Sequence, residues 1–299
     1  MIENKYFDCY RASIAVVLDE NDMNYDFLNI GGWDFSYSDI EKNMIGEKII
    51  PNFNRKVDIL ERYYGIRTNW CEREKFVNIV TIQSKTPVMI KADLFDCYWN
   101  KAYKKRHFNH YFLLKAIKDD RYICDDPYFE HFDFECSKKQ INDLIKEYIL
   151  FDIENSDISI EYIKNEIIQD AKYYYNNIIP LEEFICEMKT RFNIITEIEG
   201  YGDDVYAAPI VDNIDILVRK KKSYLSMLSN IADEIEIHMN EIYENAAECV
   251  KEWDRLRLVI LKASITKQNN KSKLANILEN IYTKEKKFRE SFYNTLLER

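Results

Sequence analysis

Near residue 155 the hydrophobic pattern of this chain changes period, and that change limits the folds open to it. From Ser159 onward a stripe recurs at spacings of three, four and seven: Ile214, Leu217, Lys221, Leu228, Ile231, Ile235, His238 and Ile242, then Leu274, Ile277, Ile281, Phe288 and Phe292. Such spacing predicts amphipathic helices, two or three long ones packed together. Ahead of it lie short apolar runs bounded by turn residues. The expected class is therefore α+β, with a mixed domain over 1–155 and a helical domain or extension over 156–299. Only 6 Gly and 5 Pro among 299 residues agree with regular structure throughout. The clearest breakers in the helical half sit in 200–209, GYGDDVYAAP.

A hydrophobic content of 46% is enough for a sizeable core. The net charge of −10 disfavours nucleic acid as a partner. No apolar run approaches roughly 18 residues, so no membrane partner is expected, and the N-terminus shows no signal-peptide pattern. A cytoplasmic protein is expected. Seven cysteines, without CxxC pairing, fit free thiols in a reducing compartment. Outside Cys9, the remaining six read as small buried hydrophobes.

Cys9 to Leu18 (CYRASIAVVL) predicts a short helix, apolar almost all round and hence central, with Asp8 at its N-cap. Val57 to Tyr64 has helical spacing and stops at Gly65. Pro87 to Ala92 is β-like. Tyr111 to Ile117 and Tyr122 to Asp125 flank Lys118, Asp119 and Asp120 as a hairpin. Lys139 to Phe151 reads as helical or mixed.

Three residues in this half carry chemistry. A thiol is a nucleophile as thiolate, and a helix N-terminus, where Cys9 sits, favours that charge. A nearby His takes the proton and a carboxylate orients the imidazole. His110 starts the first hairpin strand and Asp126 ends the second; residues symmetric about a turn sit opposite one another. Asp125 competes for the same role, and strand alternation lets only one of the two reach the ring.

DCYRASIAVVL, TPVMIKADLFD and NHYFLLKAIKDDRYICDDP resemble segments of papain-like, C39-peptidase-like cysteine enzymes. The likeness is nearest to acyltransferases of antibiotic assembly lines of the butirosin acyltransferase type, and it covers roughly residues 1 to 150. It implies a papain-like cysteine-protease fold followed by a C-terminal helical region. It also implies Cys9 as nucleophile, His110 as general base and Asp126 as orienting group. The implied reaction moves an acyl group from the phosphopantetheine thioester of an acyl or peptidyl carrier protein to a small amine, in nonribosomal peptide or related biosynthesis, with no further cofactor. Where C39 peptidases carry a Gln six residues before the Cys, this chain has Glu3. A carboxylate lacks a proton to donate. Asn4 or the Cys9 N–H is the oxyanion candidate instead.

Beside the triad, Lys101, Lys104, Lys105 and Arg106 read either as a solvated loop or as a docking patch for an acidic carrier. Trp33, Phe35 and Tyr37 read as a surface strand or loop packed on the core, or as an aromatic substrate wall near Cys9 with Tyr103, Tyr128 and Phe129 as further members. His107 and His110 lack a ligand pattern, so no metal is expected. His238 on the helical stripe reads as a core residue. The C-terminal helices suit a structural bundle, an oligomer interface or a channel cover alike. Hydrolysis by the same triad, or a non-catalytic binding module, are the rival functions.

Overall fold

The computed structural model describes residues 6–38, 40–51, 59–76, 86–119, 121–153, 159–202, 204–235 and 240–297. Two compact units divide the chain: 1–28 with 57–158, and 29–56 with 159–299. The boundary expected at 155 falls close to the one at 158/159. The difference is 29–56, which belongs to the helical unit.

Packing explains that difference. Trp33, Phe35 and Tyr37 are buried among helices, with Trp33 4.2 Å from the Phe288 ring and Phe35 5.4 Å and 5.7 Å from Phe184 and Trp253. The segment forms a two-strand ribbon, β1 (Ser36–Tyr37) and β2 (Ile49–Ile50). Between them, the Ile45 and Gly46 N–H groups donate to the two oxygens of the Glu197 carboxylate at 2.7 and 2.8 Å. A Cβ at Gly46 would stand 2.2 Å from Ile210 N, so only glycine permits this approach.

In the first unit, α1 (Cys9–Asp19) starts where expected, with the Asp8 carboxylate accepting from the Arg11 N–H at 2.8 Å. Its residues from Ala12 to Leu18 are all buried, as an all-round apolar helix requires. Helix α2 (Ile59–Tyr64) ends at Gly65, whose φ of +62° suits a glycine C′ position. Residues 57 and 58, assigned to the same helix from sequence, lie outside the described residues.

Six strands make one antiparallel sheet: β3 (Ile66–Glu72), β4 (Val88–Asp93), β5 (Asn109–Lys118), β6 (Arg121–Asp126), β7 (His131–Ser137) and β8 (Glu147–Ile153), in the order β3-β8-β4-β5-β6-β7. One face holds a core of Val88, Ile90, Phe112, Leu114, Tyr122, Cys124, Cys136 and Tyr148. The mixed reading of 139–151 resolves into α3 (Lys138–Leu144), closed by a Ser137/Gln140 capping box, and then β8.

The second unit holds α4 (Ile160–Asn176), α5 (Ile179–Thr190), α6 (Ile194–Glu197), α7 (Pro209–Ile231), α8 (Asn240–Thr266) and α9 (Lys271–Leu297). The stripes that predicted helices are buried: Ile214, Leu217, Leu228 and Ile231 on α7, and Leu274, Ile277, Ile281, Phe288 and Phe292 on α9. The first stripe is not one helix, because α7 stops at Ile231 and 232–235 are turns. His238 lies outside the described residues. Lys221 belongs to the stripe for a reason periodicity does not reveal. Its Nζ lies 2.7 Å from Glu285 Oε1, inside a buried network completed by Trp33, Trp253 and Arg289. Among the described residues no helix is long and apolar enough to cross a membrane.

Candidate active site

His110 and Asp126 come from adjacent strands of the first unit and meet in its interior. Asp126 Oδ2 lies 2.7 Å from His110 Nε2, with the imidazole 1% exposed and the carboxylate residue fully buried. The two residues are not directly opposite. The hairpin pairs Lys118 with Arg121 and Leu113 with Asp125, shifting register between Leu114 and Ala116. Continued to His110, that register would set it opposite 128, so Asp126 is its diagonal neighbour. A diagonal pair on one face is within reach of long side chains.

Alternation separates the two neighbouring aspartates. Asp125 faces Lys115, with Nζ 3.0 Å away, and accepts from the Asp133 N–H at 2.7 Å. Asp126 faces the imidazole. Its Oδ2 also accepts from the Trp99 indole N–H at 2.7 Å, and its Oδ1 from the Phe129 N–H at 3.4 Å. An indole N–H only donates, so Oδ2 is an acceptor. An ionised carboxylate only accepts, so with Asp126 charged the donor is His110 Nε2, and in the neutral imidazole the lone pair is then on Nδ1.

Cys9 opens α1 and lies against β5 at the backbone on either side of His110. Its Sγ is 3.8 Å from the Asn109 carbonyl oxygen. The Tyr111 and Tyr10 N–H groups stabilise negative charge on the sulfur. Ser13, one turn along, donates to the Cys9 carbonyl at 3.0 Å and the Tyr111 carbonyl at 3.4 Å, tying α1 to β5. Among the described residues no hydrogen bond joins Sγ to the imidazole.

The thiolate expected at this helix start is not the resting form. Burial of Cys9, which is 7% exposed, and the carboxylates of Asp8 and Asp126 push its thiol up to about 12, against the pull of the two backbone N–H groups. Desolvation therefore outweighs the helix N-terminus. Cys9 is protonated at neutral pH, and any nucleophilic role needs a base to remove its proton in the reaction itself.

The basic run occupies the turn-rich segment between β4 and β5. Lys101, Lys104, Lys105 and Arg106 are all exposed. Lys104 is engaged, with Nζ 2.7 Å from Asp96 and 4.5 Å above the Phe95 ring. His107 Nδ1 lies 3.1 Å from Asp93 Oδ2, so the two histidines face different carboxylates. No group of three or more His, Cys, Asp or Glu fit to hold a metal occurs among the described residues.

Two expectations about surroundings need correction. Trp33, Phe35 and Tyr37 are not a surface strand or loop: they are core residues of the helical unit, their rings committed to the aromatic packing described above. Nor are the other cysteines uniformly buried. Cys97, Cys124, Cys136 and Cys249 are, while Cys71 is half-buried and Cys186 exposed. Aromatic rings that meet the site include Tyr128, Phe129 and Phe112, with centroids 6.2, 5.2 and 6.5 Å from the His110 ring. Next to Cys9 in sequence, Tyr10 packs on Tyr111 at 5.1 Å and on the half-exposed Trp70 at 6.3 Å. Tyr103 is exposed beside Lys104. Asn4 and Glu3 lie outside the described residues. Sequence reasoning missed Trp99, since an isolated Trp in a loop carries no spacing signal.

The comparisons with known proteins assign no family. No protein-family model matches the chain, and no curated protein matches its sequence.

Proposed function

We propose that the first unit is a papain-like cysteine acyltransferase, forming an amide by passing an acyl group from a carrier-protein thioester through Cys9 to an amine. The observation that carries this reading is the buried His110–Asp126 pair on strands β5 and β6, with the Cys9 sulfur against the backbone on either side of His110.

In this reaction His110 Nδ1 takes the Cys9 proton as the sulfur attacks the thioester carbonyl. The carbon–sulfur bond to pantetheine breaks, and the departing thiolate takes the proton back from the imidazolium. An amine then attacks the acyl-cysteine, its proton passes through His110 to the Cys9 sulfur, and the amide leaves. Asp126 holds the ring and balances the imidazolium charge in both stages. The Cys9 N–H, at the first position of α1, has no intrahelical acceptor and suits the tetrahedral oxyanion. A thiol protonated at rest agrees with this sequence of steps, because the nucleophile–base hydrogen bond then forms with substrate in place. Lys101, Lys105 and Arg106 beside β5 offer positive charge to an acidic carrier.

Intact-protein mass spectrometry after incubation with a simple acyl thioester tests the reading. The expected result is an acyl adduct on wild type, absent in Cys9→Ala and slowed in His110→Ala, discharged by an amine faster than by water. Discharge by water alone would make the enzyme a hydrolase. No adduct with any thioester would leave a binding protein.

A further inference from the structure

We propose that Trp99 is a positioning residue for the His110–Asp126 pair: its indole N–H holds the carboxylate so that His110 keeps its proton on Nε2 and its lone pair on Nδ1. The inference rests on reading Cys9, His110 and Asp126 as one acyl-transfer set.

Asp126 is buried and, among the described residues, has no Lys or Arg partner. Its donors are the imidazole and the indole, both 2.7 Å from Oδ2, and the Phe129 N–H at 3.4 Å from Oδ1. A buried carboxylate depends on such bonds to stay charged. Without the indole, Oδ2 would keep a single donor and the carboxylate would be free to turn, since the Oδ1 contact is weak. His110 would then no longer be confined to one tautomer.

The loop that brings Trp99 there is closed at its neck by the Asp93 side chain together with backbone hydrogen bonds. Asp93 Oδ1 accepts from the Phe95 N–H at 3.1 Å and the Phe108 N–H at 3.2 Å, while Oδ2 meets Lys146 Nζ at 2.9 Å and His107 Nδ1 at 3.1 Å. The Leu94 N–H bonds the Phe108 carbonyl at 2.8 Å, and the Lys104 N–H bonds that of Phe95 at 2.8 Å. Inside this closed segment the Trp99 ring packs on Phe112 and Phe134 at 5.2 and 4.7 Å. Its indole is thus fixed from both the loop and the sheet, and its one polar atom goes to Asp126. A purely apolar role would be met as well by Phe.

Trp99→Phe keeps the ring packing and removes the N–H. Side-chain ¹⁵N–¹H NMR of the four histidines, with His110 identified from His110→Ala, reads the tautomer directly. The variant is expected to shift His110 from the Nε2–H pattern to mixed tautomers and to slow Cys9 acylation by a small thioester at least about ten-fold. Wild-type ring signals and an unchanged rate would overturn the proposal. If wild-type Cys9 accepts no acyl group yet Trp99→Phe still shifts the ring, positioning stands and acyl transfer fails. If wild type is acylated and the variant behaves identically, the positioning proposal fails alone. Should Trp99→Phe not fold, Asp93→Ala releases the neck of the loop; the same tautomer shift is expected there, and a wild-type His110 pattern would count against the proposal.

Discussion

His110 and Asp126 share a 2.7 Å hydrogen bond although the strand register leaves them two positions out of alignment. The contact depends on both side chains pointing to the same face of the sheet, not on direct opposition. Asp125, one residue away, points to the other face and serves Lys115.

That separation of roles predicts opposite outcomes for neighbouring substitutions. Asp126→Asn keeps the shape but replaces the acceptor of His110 Nε2–H. Cys9 acylation is expected to fall about a thousand-fold or more. Asp125→Asn should leave acylation near wild type and lower stability by about 1–3 kcal/mol, because Lys115 and the Asp133 N–H lose a charged acceptor. Single-turnover kinetics and urea melts of both variants test the pair together.

Cys9 should show the pH behaviour of a desolvated thiol. In His110→Ala, alkylation at Cys9 is expected to rise about ten-fold per pH unit from neutrality toward 12, where burial and the Asp8 and Asp126 charges have pushed the thiol. The linked stability follows the same sign. Below the unfolded thiol value, near 9, both states hold the proton and pH has no effect through this group. Between about 9 and 12 only the unfolded state releases it, so stability falls as pH rises. Cys9→Ala should lessen that alkaline loss. An alkylation profile levelling off near pH 9 would contradict the buried thiol.

The helical unit has its own buried charge. Burial raises the Glu285 carboxyl, but Lys221, Arg289 and the Trp33 N–H pull it down to about 2. Its contribution is present above about 4.5 and disappears as pH falls toward 2, since the unfolded state takes up the proton first. Glu285→Gln leaves two buried cations without a counter-charge and should destabilise the unit by about 3–5 kcal/mol at pH 7. A differential-scanning measurement at pH 7 and pH 3 checks both the loss and its narrowing in acid.

Carrier docking makes a prediction that depends on the acyl donor. Lys101→Glu with Lys105→Glu reverses charge at two exposed residues while sparing Lys104, which is held by Asp96. Acylation from a carrier-bound thioester should fall about ten-fold at low salt, and the difference should shrink at high salt. Acylation from a small thioester should not change. Equal losses with both donors would assign the run to structure instead.

Helices with a complete local signal were legible in the sequence. α1 had an N-cap, a nearly all-round apolar character and a start, and α9 had an apolar stripe broken only around Glu285; helices formed at both. Edge strands β3 and β7 were not legible. Their burial is patchy along IRTNWCE and HFDFECS; β3 pairs with the distant β8, and β7 follows β6 across the helical turn Pro127–Phe129 rather than a two-residue hairpin turn. The aromatic run Trp33, Phe35 and Tyr37 was visible as an alternation, but alternation does not say which core receives it.

The sequence by itself determined the α+β class, the position of Cys9 at a helix start and the return of His110 and Asp126 on one hairpin. Each of these is a local property, written in periodicity, capping and turn residues. Only the tertiary structure decided that 29–56 joins the helical unit, that Asp126 rather than Asp125 meets the imidazole, that Trp99 shares the same carboxylate oxygen, and that the thiol rests protonated. Those outcomes depend on packing between segments far apart in the chain. A side chain's partner, its desolvation and hence its charge exist only once those segments have come together.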